Sequence, residues 1–201
     1  MEDTVKNSSI LASLVIVAQR HGNASKGKDD FSRPLSEKGV RQLSAARPAI
    51  EALGPFDLVV TSPAVRARST VEHGNVLTVH LDALYFPAEG SVDRLVIDTV
   101  YDRIGNAPLE EHLASEAGPA LLRWVMGAVQ AVIDEALRIG PSKRVLVGGH
   151  GVYTQMLMLQ LALLMGVDVT PALTISLVEG DALVLDQKNG LRHLACPKVE
   201  G

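Results

Sequence analysis

The chain has 201 residues, of which 47% are hydrophobic and 21% are charged. This length is enough to bury a sizeable core and too short for two ordinary domains, so we expect a single domain over residues 1–201. The formal net charge of −4 removes any general electrostatic attraction to nucleic acid or acidic lipid. We therefore expect neither a nucleic-acid nor a membrane partner.

Cysteine and histidine usage excludes the common metal sites. Cys196 is the only cysteine, which rules out an internal disulfide and a cysteine-based metal site. No pair of histidines has the i, i+4 spacing of a zinc-binding helix. We expect no metal and no cofactor.

The first apolar segment, residues 10–18, has the length of a signal-peptide core. However, residues 1–6 are net acidic rather than basic, and no small-x-small cleavage pattern follows. We interpret the segment as a buried strand that a flexible tail of residues 1–10 precedes. The expected location is the cytoplasm.

Short apolar runs then alternate with amphipathic segments. Runs at residues 14–18, 58–61 and 144–147 predict strands that are covered on both faces, and the run at 77–79 predicts a weaker strand. Helical spacing of apolar residues predicts helices at 36–53, 63–73, 91–104, 109–115, 121–139 and 152–165. Pro48 predicts a kink or an early end in the first of these helices.

After Pro171 the pattern changes to short strands at residues 173–178, 182–185 and 191–195, with turns at Gly180-Asp181 and Asn189-Gly190. Alternating strands and helices followed by hairpins predict an α/β protein. We expect a three-layer α/β/α arrangement with a central, mostly parallel sheet and antiparallel C-terminal edge strands.

Histidine and arginine follow three of the predicted strands. Arg20 and His21 come after the first strand, Arg66 after the second and His150 after the fourth. Ligands of open α/β sheets bind beyond the carboxyl ends of the strands, so these side chains should meet at one edge. None of the three turns contains a carboxylate. A cationic site near helix N-termini suits a dianionic phosphoryl group.

The residue types assign chemical roles at this edge. A neutral imidazole beside two guanidinium groups is a competent nucleophile, so His21 should attack phosphorus and form a transient phosphohistidine. Arg20 and Arg66 should bind the phosphoryl oxygens, and His150 should donate a further hydrogen bond.

Other residues of the same turns are candidates for phosphate contact. Gly151, beside His150, lets the backbone approach the phosphate. Asn23 either reaches the phosphate or holds the turn. Arg68 is the alternative to Arg66, but the two lie about 200° apart around a helix and cannot both face the site.

The Arg20-His21-Gly22 turn, an RHG motif after a hydrophobic strand, resembles the signature of the histidine phosphatase superfamily, which includes the cofactor-dependent phosphoglycerate mutases. The similarity continues in order through residues 33–39, 62–67 and 147–150. His-Gly-Asn-Ala followed by Arg-Pro-Leu-Ser is most similar to the small bacterial phosphohistidine phosphatases. The resemblance implies a phosphoglycerate mutase-like fold and a metal-free phosphatase with a phosphohistidine intermediate and a second catalytic histidine.

The resemblance also raises the question of the general acid that protonates an alkoxide leaving group. In the mutase-like branch a glutamate supplies the proton from the segment after the third strand. The corresponding stretch here makes Glu89 the first candidate and Asp82 the second. The mutases carry a polar residue six places after the nucleophile, where this chain has Gly27, and this departure argues against a mutase.

We therefore expect a metal-independent histidine phosphatase that acts on a phosphohistidine protein or a small phosphomonoester. Two alternatives remain open at this point. One is a phosphoglycerate mutase-type phosphotransferase, and the other is a non-catalytic phosphate-binding domain of the same fold. The sequence leaves the natural substrate and the oligomeric state undetermined, although the C-terminal strands offer an edge that could pair with a second copy.

Overall fold

The computed structural model describes residues 11, 13–27, 29–72, 74–140 and 143–199, and the predicted tail of residues 1–10 lies outside them. Six strands form one sheet in this part of the chain. They are β1 (Val15–Arg20), β2 (Leu58–Thr61), β3 (Thr78–His80), β4 (Arg144–Gly149), β5 (Ala182–Asp186) and β6 (Gly190–Leu194).

Seven helices connect and cover the strands in the same part of the chain. They are α1 (Glu37–Glu51), α2 (Val65–Thr70), α3 (Val92–Ile104), α4 (Leu109–Ala114), α5 (Gly118–Ile139), α6 (Gly151–Met165) and α7 (Thr170–Thr174). A 3-10 turn at Asp82–Leu84 follows β3. Helix α1 continues through Pro48 and ends three residues later. None of the described helices has both the length and the apolar character needed to cross a membrane.

The strand order is β3-β2-β4-β1-β5-β6. The first four strands of this order run parallel, whereas β5 pairs antiparallel with β1 and β6 pairs antiparallel with β5. The predicted sheet, mostly parallel with antiparallel strands at one edge, is therefore confirmed.

The two faces of the sheet pack against different helices, which confirms the three layers. Along β1, Val17 belongs to a small cluster on one face that includes Ile50 of α1. Ile16 and Ala18 point to the other face and join the larger core, to which α3–α7 contribute. Helix α6 is apolar around most of its circumference and is almost wholly buried in that core. A helix with apolar residues on all sides is stable in water only in such a position.

The predicted strand at residues 173–178 is wrong. Pro171 lies in the first turn of the short helix α7, where the missing backbone N–H leaves no hydrogen bond unmade. The segment that follows is not part of the sheet, and its Leu177 carbonyl accepts a hydrogen bond from the Arg20 side chain. This stretch thus holds the Arg20 side chain through a backbone carbonyl and does not form a hairpin with β5.

Candidate active site

The carboxyl ends of β1, β2 and β4 lie side by side. Arg20 is paired with Gly149 in the register of β1 and β4, and Thr61 with Gly148 in that of β2 and β4. Backbone hydrogen bonds continue beyond the strands, since His21 N donates to Gly149 O at 3.0 Å and Ser62 N to Gly148 O at 3.1 Å. The three turns that carry the predicted site residues are therefore fixed against one another.

A pocket of about 440 Å³ opens at this edge of the sheet. Its floor consists of Arg20, His21, Arg66 and His150. The centroids of the two histidine rings are 5.1 Å apart. Arg66, His150 and Arg20 are only 1%, 2% and 5% exposed. The four residues that the sequence predicts to meet thus lie together, at the bottom of a pocket that is open to solvent.

The hydrogen bonds of His21 fix its tautomer. Its Nδ1 lies 2.7 Å from the carbonyl oxygen of Gly22, which can only accept, so Nδ1 carries the proton. Nε2 of the neutral ring is therefore unprotonated, and its lone pair accepts a hydrogen bond from Nε of Arg66 at 3.2 Å. This nitrogen is the one that can attack phosphorus.

His21 remains neutral over the ordinary pH range. Burial lowers the pKa of His21 to about 3, and the charges of Arg66 and Arg20 act in the same direction. The hydrogen bond to Gly22 O and the charge of Asp30 oppose this shift without cancelling it. A neutral imidazole is the nucleophilic form, so the surroundings favour the reactive state.

Arg66 is held by Asp30, a residue of the loop between β1 and α1. Asp30 Oδ2 accepts a hydrogen bond from Nη2 of Arg66 at 2.8 Å, and the Asp30 carbonyl accepts from Nη1. Burial alone would raise the pKa of the Asp30 carboxyl, but hydrogen bonds and charges from Arg66 and Arg33 outweigh burial and lower it. Tyr85, whose pKa is raised to about 12 mainly by burial, donates its hydroxyl proton to the same Oδ2 at 3.2 Å.

Arg20 is fixed from a different side of the pocket. Its Nη1 donates to Asn106 Oδ1 at 2.7 Å and to the carbonyl of Leu177. Its Nη2 donates to the Tyr101 hydroxyl at 3.2 Å. Nε of Arg20 is buried and has no hydrogen-bond partner among the described residues. The guanidinium group is therefore oriented by α3 and by the segment after α7, with Nε still available to a ligand.

His150 is almost fully buried at the floor of the pocket. Its Nε2 lies 2.8 Å from Ser62 Oγ, which also accepts a hydrogen bond from the Ala64 backbone. Its Nδ1 is buried and unpartnered within the described residues. Burial, followed by the charges of His21, Arg66 and Arg20, holds the pKa of His150 well below its ordinary value. If the Ser62 hydroxyl donates to Nε2, the single proton of the neutral ring lies on Nδ1 and can be donated to a phosphoryl oxygen.

The segment at residues 33–39, which resembles the sequence of the superfamily, supports the turn after β1 that carries His21 and Asn23. Ser36 caps α1, and its hydroxyl donates to Asn23 Oδ1 at 2.7 Å. Gly39 lies so close to this turn that a Cβ there would be 2.1 Å from the Asn23 carbonyl oxygen. Asn23 and Gly151 both line the pocket, but the Asn23 side chain is also engaged with Ser36 and, at 3.4 Å, with Glu179. Contact of Asn23 and Gly151 with a phosphate stays a prediction.

The candidate acids do not join the pocket residues. Glu89 and Asp82 are both exposed, and neither belongs to the residues that line the pocket. The assignment of Glu89 as general acid therefore stays a prediction that this geometry does not support. Arg68 is also exposed on α2, whereas Arg66 is buried in the floor, as the helical spacing predicts.

The pocket is less cationic than the three turns predict. Four arginines and four carboxylates belong to its described lining: Arg20, Arg33, Arg66, Arg94, Asp30, Asp98, Asp102 and Glu179. Asp30 lies in the loop before α1, Asp98 and Asp102 lie in α3, and Glu179 lies in the segment before β5, all outside the predicted turns. The spacing of apolar residues does not show which polar residues of α3 face a ligand. The sequence therefore does not predict that Asp98 and Asp102 belong to the pocket.

Aromatic residues complete the wall. Phe86 packs against His150 with ring centroids 4.5 Å apart, and the guanidinium of Arg94 lies 4.0 Å from the centroid of the same ring. Arg94 also forms a salt bridge with Asp98, one turn along α3, at 2.5 Å. The segment between β3 and α4 therefore covers one side of the pocket.

Comparison with known proteins agrees with this geometry. The model of the histidine phosphatase superfamily (branch 1) matches residues 16–85, which include His21, Asp30 and Arg66. No curated protein matches the chain in a sequence search.

Solved structures of phosphatases share the fold over most of the chain. Phosphoserine phosphatase from Entamoeba histolytica, in complex with 3-phosphoglyceric acid, superimposes with a TM-score of 0.59 at 16% identity, covering 93% of this chain and 98% of that one. The mycobacterial glucosyl-3-phosphoglycerate phosphatase with inorganic phosphate has a TM-score of 0.56 at 19% identity and covers 92% and 97%. The protein histidine phosphatase SixA with tungstate has a TM-score of 0.50 at 17% identity and covers 90% and 94%.

The RHG motif and the segments at residues 33–39 and 62–67 lie within the matched residues, whereas residues 147–150 lie beyond them. The family model therefore confirms the resemblance to the histidine phosphatase superfamily over residues 16–85, and the solved structures share the fold over about nine-tenths of the chain.

Proposed function

We propose that the protein is a metal-independent phosphohydrolase that acts through a phosphohistidine intermediate on His21. The observation that carries this proposal is the position of His21 Nε2. This nitrogen is unprotonated, faces a pocket and lies 3.2 Å from Nε of Arg66, so a phosphoryl group bonded to it would meet a guanidinium directly. Such donors stabilise the charge on the transferring oxygens.

The reaction takes place in two steps. His21 Nε2 attacks phosphorus, a nitrogen–phosphorus bond forms, and the bond to the leaving group breaks with its electron pair on that group. Water then attacks the phosphohistidine, the nitrogen–phosphorus bond breaks, and phosphate and neutral His21 are released. Arg20, Arg66 and Nδ1 of His150 bind the three oxygens during both transfers.

The substrate is a phosphohistidine protein or a small phosphomonoester. The exposed position of Glu89 supports the phosphohistidine, because an imidazole leaves a phosphoramidate with less need of a proton donor than an alkoxide leaves an ester. Asp30 cannot serve as the acid near neutral pH, since its pKa is lowered and it is ionised.

The test is turnover by a His21→Ala variant on para-nitrophenyl phosphate and on a phosphohistidine peptide. We expect a loss of about a thousandfold or more, as is usual when a nucleophile is removed. His80→Ala, at the exposed end of β3 and outside the pocket, serves as the matched control and should turn over normally. Wild-type turnover in His21→Ala would overturn the proposal.

Product analysis separates the alternatives. Release of inorganic phosphate alone supports the hydrolase, whereas transfer to a second hydroxyl of a sugar acid would indicate a mutase. Calorimetric binding of phosphate with no turnover on a broad substrate panel would indicate a non-catalytic phosphate-binding domain.

A further inference from the structure

Two of the pocket's carboxylates, Asp102 and Glu179, are more exposed than the arginines of its floor. Asp102 of α3 is exposed, and Glu179, before β5, is half-buried, whereas the arginines of the floor are buried. Within the described part of the chain neither carboxylate forms a salt bridge, and Glu179 contacts only the amide of Asn23 at 3.4 Å. We call Asp102 and Glu179 the acidic rim.

Arg33 and Arg94, the arginines outside the floor, do not neutralise the negative charge of the acidic rim, because each of them pairs with another carboxylate. Arg94 is paired with Asp98 at 2.5 Å, and Arg33 is paired with Asp30. The lining as a whole carries four arginines and four carboxylates, so with neutral histidines its net charge is close to zero. A bound phosphoryl dianion makes the occupied pocket net negative, and the uncompensated charge lies at the rim.

The floor independently indicates where the phosphoryl group binds. Nε of Arg20 and Nδ1 of His150 are buried polar atoms without a partner among the described residues, and both side chains line the pocket. A buried donor without a partner is unfavourable unless a ligand accepts from it. A phosphoryl group held at this buried floor leaves the rest of its substrate toward the more exposed part of the lining, which includes the acidic rim.

We propose that the acidic rim selects substrates whose leaving group carries a positive charge, such as an ammonium, and that Asp102 and Glu179 are specificity-determining residues. The inference rests on the proposed function, because it concerns the leaving group of the same reaction. Opposite charges at a partly exposed site attract modestly, so each carboxylate should contribute about three- to fivefold in kcat/KM. Like charges at the rim disfavour an anionic leaving group to a similar extent.

The experiment compares three aryl phosphates that differ only in a distant charge: the phosphate esters of tyramine (ammonium), para-ethylphenol (neutral) and para-hydroxyphenylpropanoate (carboxylate). We expect kcat/KM at low ionic strength to fall in that order, with about tenfold between each ester and the next. The order should weaken as salt is added, since salt screens exposed charges.

Variants test whether the acidic rim is the cause. In the double variant Asp102→Asn, Glu179→Gln the three rates should converge, whereas Glu110→Gln, an exposed carboxylate of α4 outside the pocket, should keep the order. Equal rates in the native protein, or an order that survives in the double variant, would overturn the proposed role of the acidic rim. Neither result would overturn the proposed hydrolase function. Absence of turnover on all three esters would overturn this inference, and absence of turnover on a phosphohistidine peptide as well would overturn the proposed function with it.

Discussion

Asp30 accepts hydrogen bonds from both terminal nitrogens of Arg66, through its carbonyl oxygen and through Oδ2 at 2.8 Å. The remaining nitrogen of the guanidinium, Nε, donates to Nε2 of His21 at 3.2 Å. Asp30 therefore fixes the orientation of the arginine toward the nucleophile and keeps it fully charged in a buried position. An unpaired arginine there would be costly.

Removal of Asp30 should therefore lower kcat more than it changes KM. We expect Asp30→Ala to lose about ten- to a hundredfold in kcat, because a misplaced guanidinium no longer meets the phosphoryl oxygens. Asp30→Asn keeps an oxygen acceptor and should recover part of the loss. Asp29→Asn, on the exposed neighbouring residue, is the control and should resemble the native protein. Native kcat in Asp30→Ala would show that Arg66 is held by other contacts.

A second prediction concerns two helical glycines. A Cβ at Gly39 would lie 2.1 Å from the Asn23 carbonyl oxygen, whereas a Cβ at Gly127 in α5 meets nothing within 4 Å. Alanine favours a helix over glycine by about 1 kcal/mol, so Gly127→Ala should raise the free energy of unfolding. Gly39→Ala should lower it and also lower activity, because the first turn of α1 is pushed away from the nucleophile turn. Denaturant unfolding of the two variants measures this difference, and equal stability would contradict the close approach.

The floor of the pocket could be predicted because it depends only on strand direction. Parallel strands that are adjacent bring their carboxyl ends to one edge, so Arg20 and His150 meet whatever the details of packing. The positions of Asp98 and Asp102 depend instead on how α3 lies over the sheet, and the sequence of α3 does not determine this. The segment 173–178 shows the same limit, since its apolar residues suit either a strand or a loop that packs on the core.

A third prediction follows from the buried histidines. Burial holds the pKa of His21 at about 3 and lowers that of His150 and His112, whereas unfolded histidine titrates near 6.5. Below pH 6.5 the unfolded chain therefore binds more protons than the native one, and stability is fully present above this pH and falls as the pH falls through it. The carboxyl groups whose pKa values are lowered change the free energy of unfolding only at more acidic pH.

Urea unfolding between pH 7 and pH 5 measures this linkage. His21 and His150 each contribute a slope that approaches about 1.4 kcal/mol per pH unit once the pH is well below 6.5. His150→Gln removes one titrating group, so its stability should depend less steeply on pH than that of the native protein. An unchanged slope in this variant would mean that His150 binds protons equally in the native and unfolded states.

Ser62 gives the last prediction, because it determines which nitrogen of His150 carries the proton. Ser62 Oγ lies 2.8 Å from Nε2 and accepts from the Ala64 backbone, so its own hydroxyl proton is free for Nε2. Ser62→Ala removes this donor, and the proton of the neutral ring can then shift to Nε2. Nδ1 would in that case present a lone pair to the phosphoryl oxygens, which repels them.

We expect Ser62→Ala to lower kcat about tenfold, the size typical of a weakened transition-state hydrogen bond. The ¹⁵N chemical shifts of His150 should change from the Nδ1–H to the Nε2–H pattern, which a loss of packing alone would not produce. Ser69→Ala, on the exposed side of α2, should leave both kcat and the shifts of His150 unchanged. If the Nδ1–H pattern persists in Ser62→Ala, the tautomer is set by something other than Ser62, and this variant should then also keep its kcat.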